Sequence, residues 1–439
     1  EIFADGGAEV EKENDIVKLP EWLIRDAISG VPSHIDLYKR ELTSCITLGD
    51  GRGAAAPGHN AVYIIDYHTG EQIKATCSDC DKLVRLADTI EEYEVVAIPV
   101  MPQDVHPRSS IIHGFFHTTK NTEKHIYFSP DSADATSAII EITKVASHSD
   151  NLAEKPPITC QLSPTSPLVW DREAAEAVIL CAEAGVPLSF LPEPFSGMTG
   201  PITIAGLLAQ HNAELLSGLV LAQLVKPHTP VIYGSAWTTF DMKKANILIC
   251  SPEAAILRVA GAQLASYYRI PSHTIGPDAD SHCYDEQLGW EKMLSTMAAL
   301  GSGVDLIVNA GLFDSAWSVS LEQIVVDSEI ISICRRFLQG LLVNDDTLAV
   351  DVIAEVGCGK HFMESPHTLR WLRGGALWEA RISNTYTPKQ WFELGKPDVM
   401  KNAAKKVDEL LSAYMQKPLG DDALGQINSI IEKFEAEHS

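Results

Sequence analysis

The chain has 439 residues, of which 45% are hydrophobic and 21% charged, so it has enough apolar side chains for a large core and too few charges for a disordered protein. It carries 34 basic and 59 acidic side chains, a net charge of −25. Nucleic acids and anionic membranes bind basic surfaces, and we expect neither as a partner. The most apolar stretch, 206–225, is interrupted by His211, Asn212 and Glu214, which predicts a buried helix and not a membrane span.

The nine cysteines are scattered singly except for Cys77 and Cys80, which have the CxxC spacing. No second CxxC and no HxxxH follows at the distance of a zinc finger, so we predict that the chain binds no metal. A second candidate, the loop that contains Asp278, Asp280, His282, Cys283 and Asp285, matches no strong metal template. Single cysteines in apolar surroundings are typical of a reducing compartment, and we expect a cytoplasmic protein.

In chain order, residues 1–92 are predicted to form an N-terminal α+β extension. It begins with a short helix near 20–29, continues through a glycine-rich run at 49–58, and ends in an alternating segment at 61–66. Alternation of apolar and polar residues is typical of a half-buried strand. We therefore expect this extension to precede the main domain.

From residue 93 to 375, short apolar runs alternate with long helical patterns. Runs that are apolar throughout are typical of a parallel sheet covered on both faces, and seven of them predict strands at 95–100, 125–128, 157–162, 187–191, 230–234, 272–275 and 304–309. Helix boundaries lie between them: Asp171 predicts a start, Gly185 an end, and Ser251-Pro252-Glu253 another start. Further helices are predicted at 133–148, 199–225, 286–301 and 321–340.

Seven alternations favour an α/β fold of the (β/α)8 TIM-barrel type over an open sheet, because no GxGxxG or GxxxxGK[ST] motif occurs. The eighth strand is predicted near Val352 or His361. Residues 376–439 are predicted to form a C-terminal helical tail that covers the barrel or a neighbouring subunit, and we expect a homo-oligomer.

In a barrel, the chemistry lies just after the carboxyl ends of the strands. Aromatic residues stand beside carboxylates at several of these positions, and ring faces attract cations, so the mouth suits a ligand with a fixed positive charge. Rings that merely fill the mouth are the alternative. No catalytic residue is assigned, since no GxSxG or HExxH occurs. The candidate ligand-binding residues are Trp170, Phe190, Glu193, Phe195, Tyr233, Trp237, His273, Asp280, His282, Phe313, Asp314 and Trp317.

Several segments of the chain resemble the trimethylamine methyltransferase family. They are 194–206 (PFSGMTGPITIAG), 280–292 (DSHCYDEQLGWEK) and 309–314 (NAGLFD), with Gln323 and Asp327 beyond them. The segments 344–349 (NDDTLA) and 367–370 (HTLR) extend the resemblance over nearly the whole chain.

The resemblance implies a (β/α)8 barrel that moves a methyl group from a methylamine to the Co(I) of a separate corrinoid protein, with no cofactor bound by this chain. Archaeal members that use trimethylamine carry pyrrolysine in the loop after the strand that holds Asn309. Residues 313–318 are all standard here. This departure implies similarity to glycine betaine methyltransferases, which release a tertiary amine such as dimethylglycine, or to relatives acting on proline betaine, carnitine or butyrobetaine.

Physical chemistry favours the same substrate class. A quaternary nitrogen leaves as a neutral amine and needs no acid, so the enzyme must strip water from the cation and align one methyl group with the cobalt. The substrate carboxylate needs donors, and the candidates are His273, His282, Arg370 and the amides near Thr199. We expect loss of His282 or Trp237 to weaken betaine binding at least about tenfold, or about 1.4 kcal/mol.

Three other classes of protein remain open at this point. A corrinoid-carrying module would show DxHxxG, whereas Asp280-Ser281-His282 is followed by no such glycine. A non-catalytic quaternary-ammonium-binding protein would be two-lobed, which seven successive strand–helix units argue against. An unrelated barrel lyase is the third alternative.

Overall fold

The computed structural model describes residues 1–67 and 69–438. Eight parallel strands form one sheet in which β1 pairs with β8 and every later strand pairs with its neighbour in sequence. Just beyond β1 and β2, Asn60 N donates to Ile98 O and Met101 N donates to Ala61 O, both at 2.8 Å, which closes the ring. The strands are β1 Ala54–Pro57, β2 Val95–Ala97, β3 His125–Phe128, β4 Ile158–Leu162, β5 Leu188–Phe190, β6 Val231–Ser235, β7 Ser272–Ile275 and β8 Leu306–Ala310.

One long helix follows each barrel strand, so the predicted (β/α)8 barrel is confirmed. Asp171 caps α4 by accepting from Ala174 N, and Ser251 caps α6 by accepting from Ala254 N, as their sequence positions predict. The helices are α1 Cys77–Thr89, α2 Ser110–Asn121, α3 Ala133–Ser147, α4 Arg172–Ala184, α5 Ile204–Val225, α6 Pro252–Tyr268, α7 Glu286–Gly301 and α8 Leu321–Leu338. A 3₁₀ turn, Pro107–Ser109, precedes α2.

The first barrel strand lies within residues 1–92, which the sequence assigned to an extension. The eighth strand is accordingly not near Val352 or His361: Val352 belongs to the helix Val350–Val356, and His361 lies outside any regular element. Three alanines and a proline make up β1, and these residues have low strand propensity. They are buried all the same, because the closed sheet and its helices cover both faces.

The residues before β1 close the amino end of the barrel. A hairpin of Ile35–Tyr38 and Ser44–Leu48 places Ile35, Leu37 and Leu48 in one buried cluster with interior side chains of β1, β2 and β8. Ahead of it come the helices Ile2–Asp5 and Glu21–Gly30 and the strands Glu9–Glu11 and Ile16–Lys18. With the amino end filled by apolar side chains, a ligand can enter the barrel from the carboxyl end.

Short strands form walls around the carboxyl end. One small sheet contains Phe195–Ser196, Thr238–Asp241 and Asn246–Leu248, from the loops after β5 and β6. A second contains Tyr63–Ile65, Gln72–Lys74, Leu312–Phe313 and Ser318–Val319, which join the loops after β1 and β8. Both sheets stand beside the position where barrel chemistry is expected.

The C-terminal segment is helical, and its last two helices return to the barrel. Val399–Ala413 packs on α8 and α1, and Asp421–His438 packs on α3 and α2. Between them and α8 come Asp345–Leu348, Val350–Val356, Pro366–Arg373 and Pro388–Glu393. Residues 341–377, called here the apolar arm, contain no buried residue, and Leu341 is 89% exposed.

Among the described helices, α5 alone is long and apolar enough to cross a membrane by length and composition. Half of that window is buried in this structure, where α5 packs between α4 and α6. A core helix of a barrel has the same composition, which agrees with the buried helix predicted there.

Candidate active site

Four polar side chains project from barrel strands into the interior. The Tyr127 hydroxyl donates to Gln161 Oε1 at 2.9 Å and lies 3.0 Å from His273 Nδ1, while Ser189 Oγ lies 3.1 Å from the same nitrogen. Burial, with a smaller effect of His59, lowers the pKa of His273 to about 3, so its imidazole is neutral at pH 7. Within the described structure, the buried Nε2 of His273 has no hydrogen-bond partner.

Two further residues extend this cluster toward the carboxyl end. His59 follows β1, its ring packs edge-on against Tyr127 at 5.8 Å between centroids, and its Nδ1 lies 3.4 Å from Asn309 Oδ1. Desolvation lowers the pKa of His59 to about 4. Five strands and the segment after β1 thus contribute to one group of side chains, the interior cluster: His59, Tyr127, Gln161, Ser189, His273 and Asn309.

Two carboxyl groups lie beside the interior cluster and differ in their partners. Asp278 is buried, accepts from Asn309 Nδ2 at 3.0 Å and lies 3.4 Å from Arg258 Nη2. Glu193 makes no hydrogen bond to the described residues and is open to solvent. Enough protein surrounds Glu193 that desolvation raises its pKa to about 7, and the charge of Asp278 adds to this effect. Glu193 is therefore an uncompensated acid that can accept a cation.

Asp280 hydrogen-bonds to several loops at the mouth of the barrel. Its Oδ1 accepts from Ile249 N at 2.9 Å and from Ser315 Oγ at 2.8 Å, and its Oδ2 accepts from Cys250 N at 2.9 Å. Both oxygens are thus engaged in joining the loops after β6, β7 and β8. Asp280 therefore connects these loops through hydrogen bonds. Because both of its oxygens are engaged, the structure does not support its predicted role as a direct ligand contact.

His282 and Asp314 meet at the rim of the mouth. His282 Nδ1 hydrogen-bonds Asp314 Oδ1, and Asp314 Oδ2 accepts from Gln72 Nε2 at 3.1 Å and from Ser318 Oγ at 3.0 Å. Asp314, Ser315 and Ala316 have φ values of 58°, 50° and 69°, an unusual left-handed run for residues with side chains. The hydrogen bonds fix this turn, and Trp317, 55% exposed, follows it directly.

Three of the aromatic residues predicted to bind the ligand lie outside the barrel wall. Trp170 packs edge-on against Phe190 at 5.7 Å, and both rings contact α5 at Gly218, where an added Cβ would come within 2.5 Å of Trp170. Tyr233 points to the same layer and donates to Asn212 Oδ1 at 3.0 Å. These rings fill the space between the sheet and its helices and do not face the interior cluster.

The other predicted aromatic positions differ from one another. Trp237 is fully buried and lies against His211, with 3.9 Å between ring centroids, behind the wall formed by β6. Phe313 is buried against Tyr284 at 5.4 Å, and Phe195 is half-buried in the small sheet beside Thr238. Of the twelve predicted residues, the structure brings Glu193 and His273 to the interior cluster and His282, Asp314 and Trp317 to the rim.

Tyr127, Gln161 and Ser189 are not among the residues predicted from the sequence. A polar residue within an otherwise apolar barrel strand is the signal that could have found them, because such a strand is buried on both faces and a polar side chain needs a buried partner. His59 follows β1, which was not recognised as a strand. The predicted carboxylate donor Arg370 pairs instead with Asp346, which belongs to the first helix of the apolar arm.

A buried ion pair supports the loops of the mouth from below. Lys292 Nζ lies 2.6 Å from Asp327 Oδ2 and also donates to Pro277 O and Leu312 O. Asp327 in turn accepts from Gly311 N at 2.5 Å. Through this pair, α7 and α8 hold the starts of the loops after β7 and β8.

A barrel closed at its amino end, with polar and acidic side chains converging at the carboxyl end, defines a (β/α)8 enzyme-type site. The family model described as trimethylamine methyltransferase (MTTB) matches residues 1–439. The chain belongs to this family, and it is a methyltransferase.

Two relatives illustrate the range of the family. The trimethylamine methyltransferase MttB of Desulfitobacterium hafniense (strain DSM 10664 / DCB-2) is 33% identical over 439 residues, which are 100% of this chain and 88% of that protein. A glycine betaine methyltransferase of Desulfitobacterium hafniense (strain Y51) is 30% identical over 371 residues, 84% of this chain and 77% of that protein. The two relatives carry different substrate names at similar identity.

A solved structure agrees with the fold. The Methanosarcina barkeri monomethylamine methyltransferase (MtmB) superposes with a TM-score of 0.54, at 13% identity, over 93% of this chain and 86% of that one. At this identity the likeness concerns the fold alone.

Proposed function

We propose that the protein transfers a methyl group from a quaternary amine, with glycine betaine as the first candidate, to the Co(I) of a separate corrinoid protein. In this reaction Co(I) supplies the electron pair for the new cobalt–carbon bond, and the electrons of the broken carbon–nitrogen bond stay on nitrogen. The product is a neutral tertiary amine, dimethylglycine for glycine betaine. Proline betaine, carnitine and butyrobetaine are the alternative substrates of the same chemistry.

The proposal rests mainly on the unpaired carboxylate of Glu193. It is the carboxylate of the mouth that no cation or donor of the described chain compensates, and a quaternary ammonium group would supply the missing positive charge. Asp278 already has Arg258 and Asn309, so it offers less attraction to a ligand. The standard residues of the loop 313–318 support a substrate other than trimethylamine, on the resemblance described above.

The interior cluster suits the other end of a betaine. A neutral His273 with Nε2 unbonded can donate a hydrogen bond to a carboxylate when Nδ1 accepts from the Ser189 hydroxyl, since the Tyr127 hydroxyl donates to Gln161. Attraction between Glu193 and the ammonium weakens as the charge leaves nitrogen, so it favours the bound substrate more than the transition state. Alignment of the methyl group and exclusion of water must therefore provide the acceleration.

The partners follow from the same proposal. A corrinoid protein must present its cobalt at the carboxyl end of the barrel, since the amino end is filled, and this chain itself would bind no corrinoid. The apolar arm exposes Leu341, Leu342 and Met363 to solvent, which a monomer rarely does over a continuous segment, and this supports a homo-oligomer. A cytoplasmic location fits nine free cysteines.

The deciding experiment is a methylcobalamin-formation screen with Co(I) cobalamin. Glycine betaine, proline betaine, carnitine, choline and trimethylamine would be offered to the purified protein and to its Glu193→Ala variant. We expect methylation of cobalamin by one quaternary amine and its loss in the variant. Tight binding of a betaine with no methylcobalamin would favour the non-catalytic binding protein, and turnover of trimethylamine alone would overturn the substrate class.

A further inference from the structure

A second group of potential metal-ligating side chains lies on the outside of the barrel, between α1 and α2. Cys77 is the first residue of α1, and His113 and His117 stand four residues apart on α2, which places both rings on the same helix face. One ligand atom of each residue lies within 4.8 Å of the others. Within the described residues, no other group of this kind occurs among histidine, cysteine and acidic side chains.

Both imidazole rings are held by carboxylates. His113 Nε2 lies 3.0 Å from Glu435 Oε1, and His117 Nδ1 lies 2.7 Å from Asp81 Oδ1. These contacts fix the rings and leave Nδ1 of His113 and Nε2 of His117 for another ligand. A carboxylate on the second ring nitrogen is the arrangement that orients histidines in metal sites and raises their basicity.

With the thiol of Cys77, the group has the types of ligand found in zinc sites. A thiolate and two imidazoles are ligands that Zn²⁺ prefers, and a water can take the fourth position of a tetrahedral site. The carboxylate of Asp104 accepts from Cys77 N at 2.9 Å and so holds the start of α1. Lys120 pairs with Asp81 at 3.2 Å, so Asp81 orients His117 and does not act as the ligand.

We propose that Cys77, His113 and His117 bind one zinc ion, which ties the start of α1 to α2. Binding replaces the thiol proton of Cys77: the sulfur–hydrogen bond breaks, the sulfur–zinc bond forms, and the proton goes to solvent. Tetrahedral zinc with bonds of about 2.0–2.3 Å needs its ligand atoms about 3.3–3.6 Å apart, and small side-chain rotations can bring atoms that lie within 4.8 Å of one another to that spacing. All three side chains are half-buried, and an ion can reach them.

The proposed site differs from the sequence-based prediction that this chain binds no metal. Cys80, the other cysteine of the motif, points into the core and contacts Gly114 O at 3.6 Å. The partners of Cys77 are instead an HxxxH pair more than thirty residues downstream, beyond the spacing of a zinc finger. They meet because consecutive helices of a barrel are neighbours.

Cobalt binding to the full-length chain tests the site without an activity assay. Metal-stripped protein is titrated with Co²⁺ under anaerobic conditions, followed by Zn²⁺ competition. We expect one equivalent with thiolate-to-cobalt charge-transfer absorption and the visible bands of a tetrahedral ion, displaced by Zn²⁺. A Tm that rises with zinc concentration gives a second readout.

Variants locate the ion. Cys77→Ser should remove the charge-transfer band, His117→Ala should weaken binding at least about 100-fold, and Glu435→Gln should weaken it about tenfold because it only orients a ligand. Cys358→Ser, at an exposed thiol of the apolar arm, should change nothing. The proposal is overturned when folded wild-type protein takes up no stoichiometric Co²⁺ or Zn²⁺, or when Cys77→Ser, a one-atom change, binds as well as wild type. Loss of the band in Cys283→Ser would also overturn it, by moving the ion to the loop after β7.

Discussion

The hydroxyl of Tyr127 lies 3.0 Å from Nδ1 of His273, and the two residues belong to β3 and β7, which face each other across the barrel. Two side chains that meet from opposite walls span the interior at that level. They form the floor on which a ligand entering from the carboxyl end would rest. The mouth above this floor contains Glu193, Asn309 and the start of the loop after β8.

Loss of the Tyr127 hydroxyl tests whether this floor contacts the ligand. Tyr127→Phe leaves Gln161 and His273 without a shared partner, which costs about 1–3 kcal/mol of stability, and it should raise the Kd for a betaine about tenfold. Tyr93→Phe is the matched control, since the Tyr93 hydroxyl is also buried and donates to Ile324 O at 2.6 Å outside the barrel interior. Calorimetric titration and urea unfolding of both variants measure the effects. Equal affinities in the two variants would remove Tyr127 from the site.

Glu193 should make cation binding depend on pH. Its pKa is raised to about 7, and a bound cation favours the ionised form, so affinity for tetramethylammonium should increase as the pH rises. A ligand that binds only the ionised form gains about tenfold between about pH 6 and pH 8. Calorimetry with Glu193→Gln should show weak binding that does not change with pH. Glu141→Gln, which removes an exposed carboxylate on α3, should keep the wild-type profile.

Trp237 and His282 should now behave differently, although the sequence alone predicted the same effect for both. Trp237→Ala empties a buried volume behind β6, so it should lower the free energy of unfolding by about 3–5 kcal/mol. Betaine affinity of the folded variant should stay within about twofold of wild type. His282→Ala should cost little stability, since the side chain is exposed, but should weaken betaine binding at least about tenfold by releasing Asp314 at the rim. If a fully folded Trp237→Ala protein binds betaine weakly, Trp237 contributes to the ligand site after all.

The buried pair of Lys292 and Asp327 should be sensitive to loss of one partner. Lys292→Met leaves a buried carboxylate unpaired, and we expect it to lower the free energy of unfolding by about 3–5 kcal/mol. The double variant Lys292→Met/Asp327→Leu removes both charges and should recover much of that loss. Urea unfolding of the two single variants and the double variant measures the coupling. If the double variant is no more stable than Lys292→Met, the lost stability comes from altered packing and not from the unpaired charge.

Most of the fold could be predicted because its signals are local. Asp171 and Ser251 cap the helices that their positions predict, and the apolar runs from 125 onward became strands. The strand β1 could not be found this way, since Ala54–Pro57 has neither the apolar bulk nor the strand propensity of its neighbours. Its position follows from closure of the barrel, which is a non-local requirement.

The site was harder to predict because barrel strands are apolar on both faces. Phe190 and Tyr233 are aligned in neighbouring strands and both point outward, while Ser189, one residue earlier, points inward. Hydrophobicity does not separate these faces, and a one-residue shift exchanges them. Glu193 was identified because it follows the end of β5, where the position does not depend on that choice, and His273 because its imidazole is a candidate donor to the substrate carboxylate.

Pairing of β1 with β8 joins Ala54 to Leu306, residues about 250 positions apart. During synthesis at about 5–20 residues per second, the first strand waits roughly ten to fifty seconds for its partner. An unpaired strand edge on a nascent chain is a template for wrong pairing with other chains. Because Ala-Ala-Ala-Pro has weak strand-forming character, we expect this edge to compete poorly for other partners before β8 is synthesised.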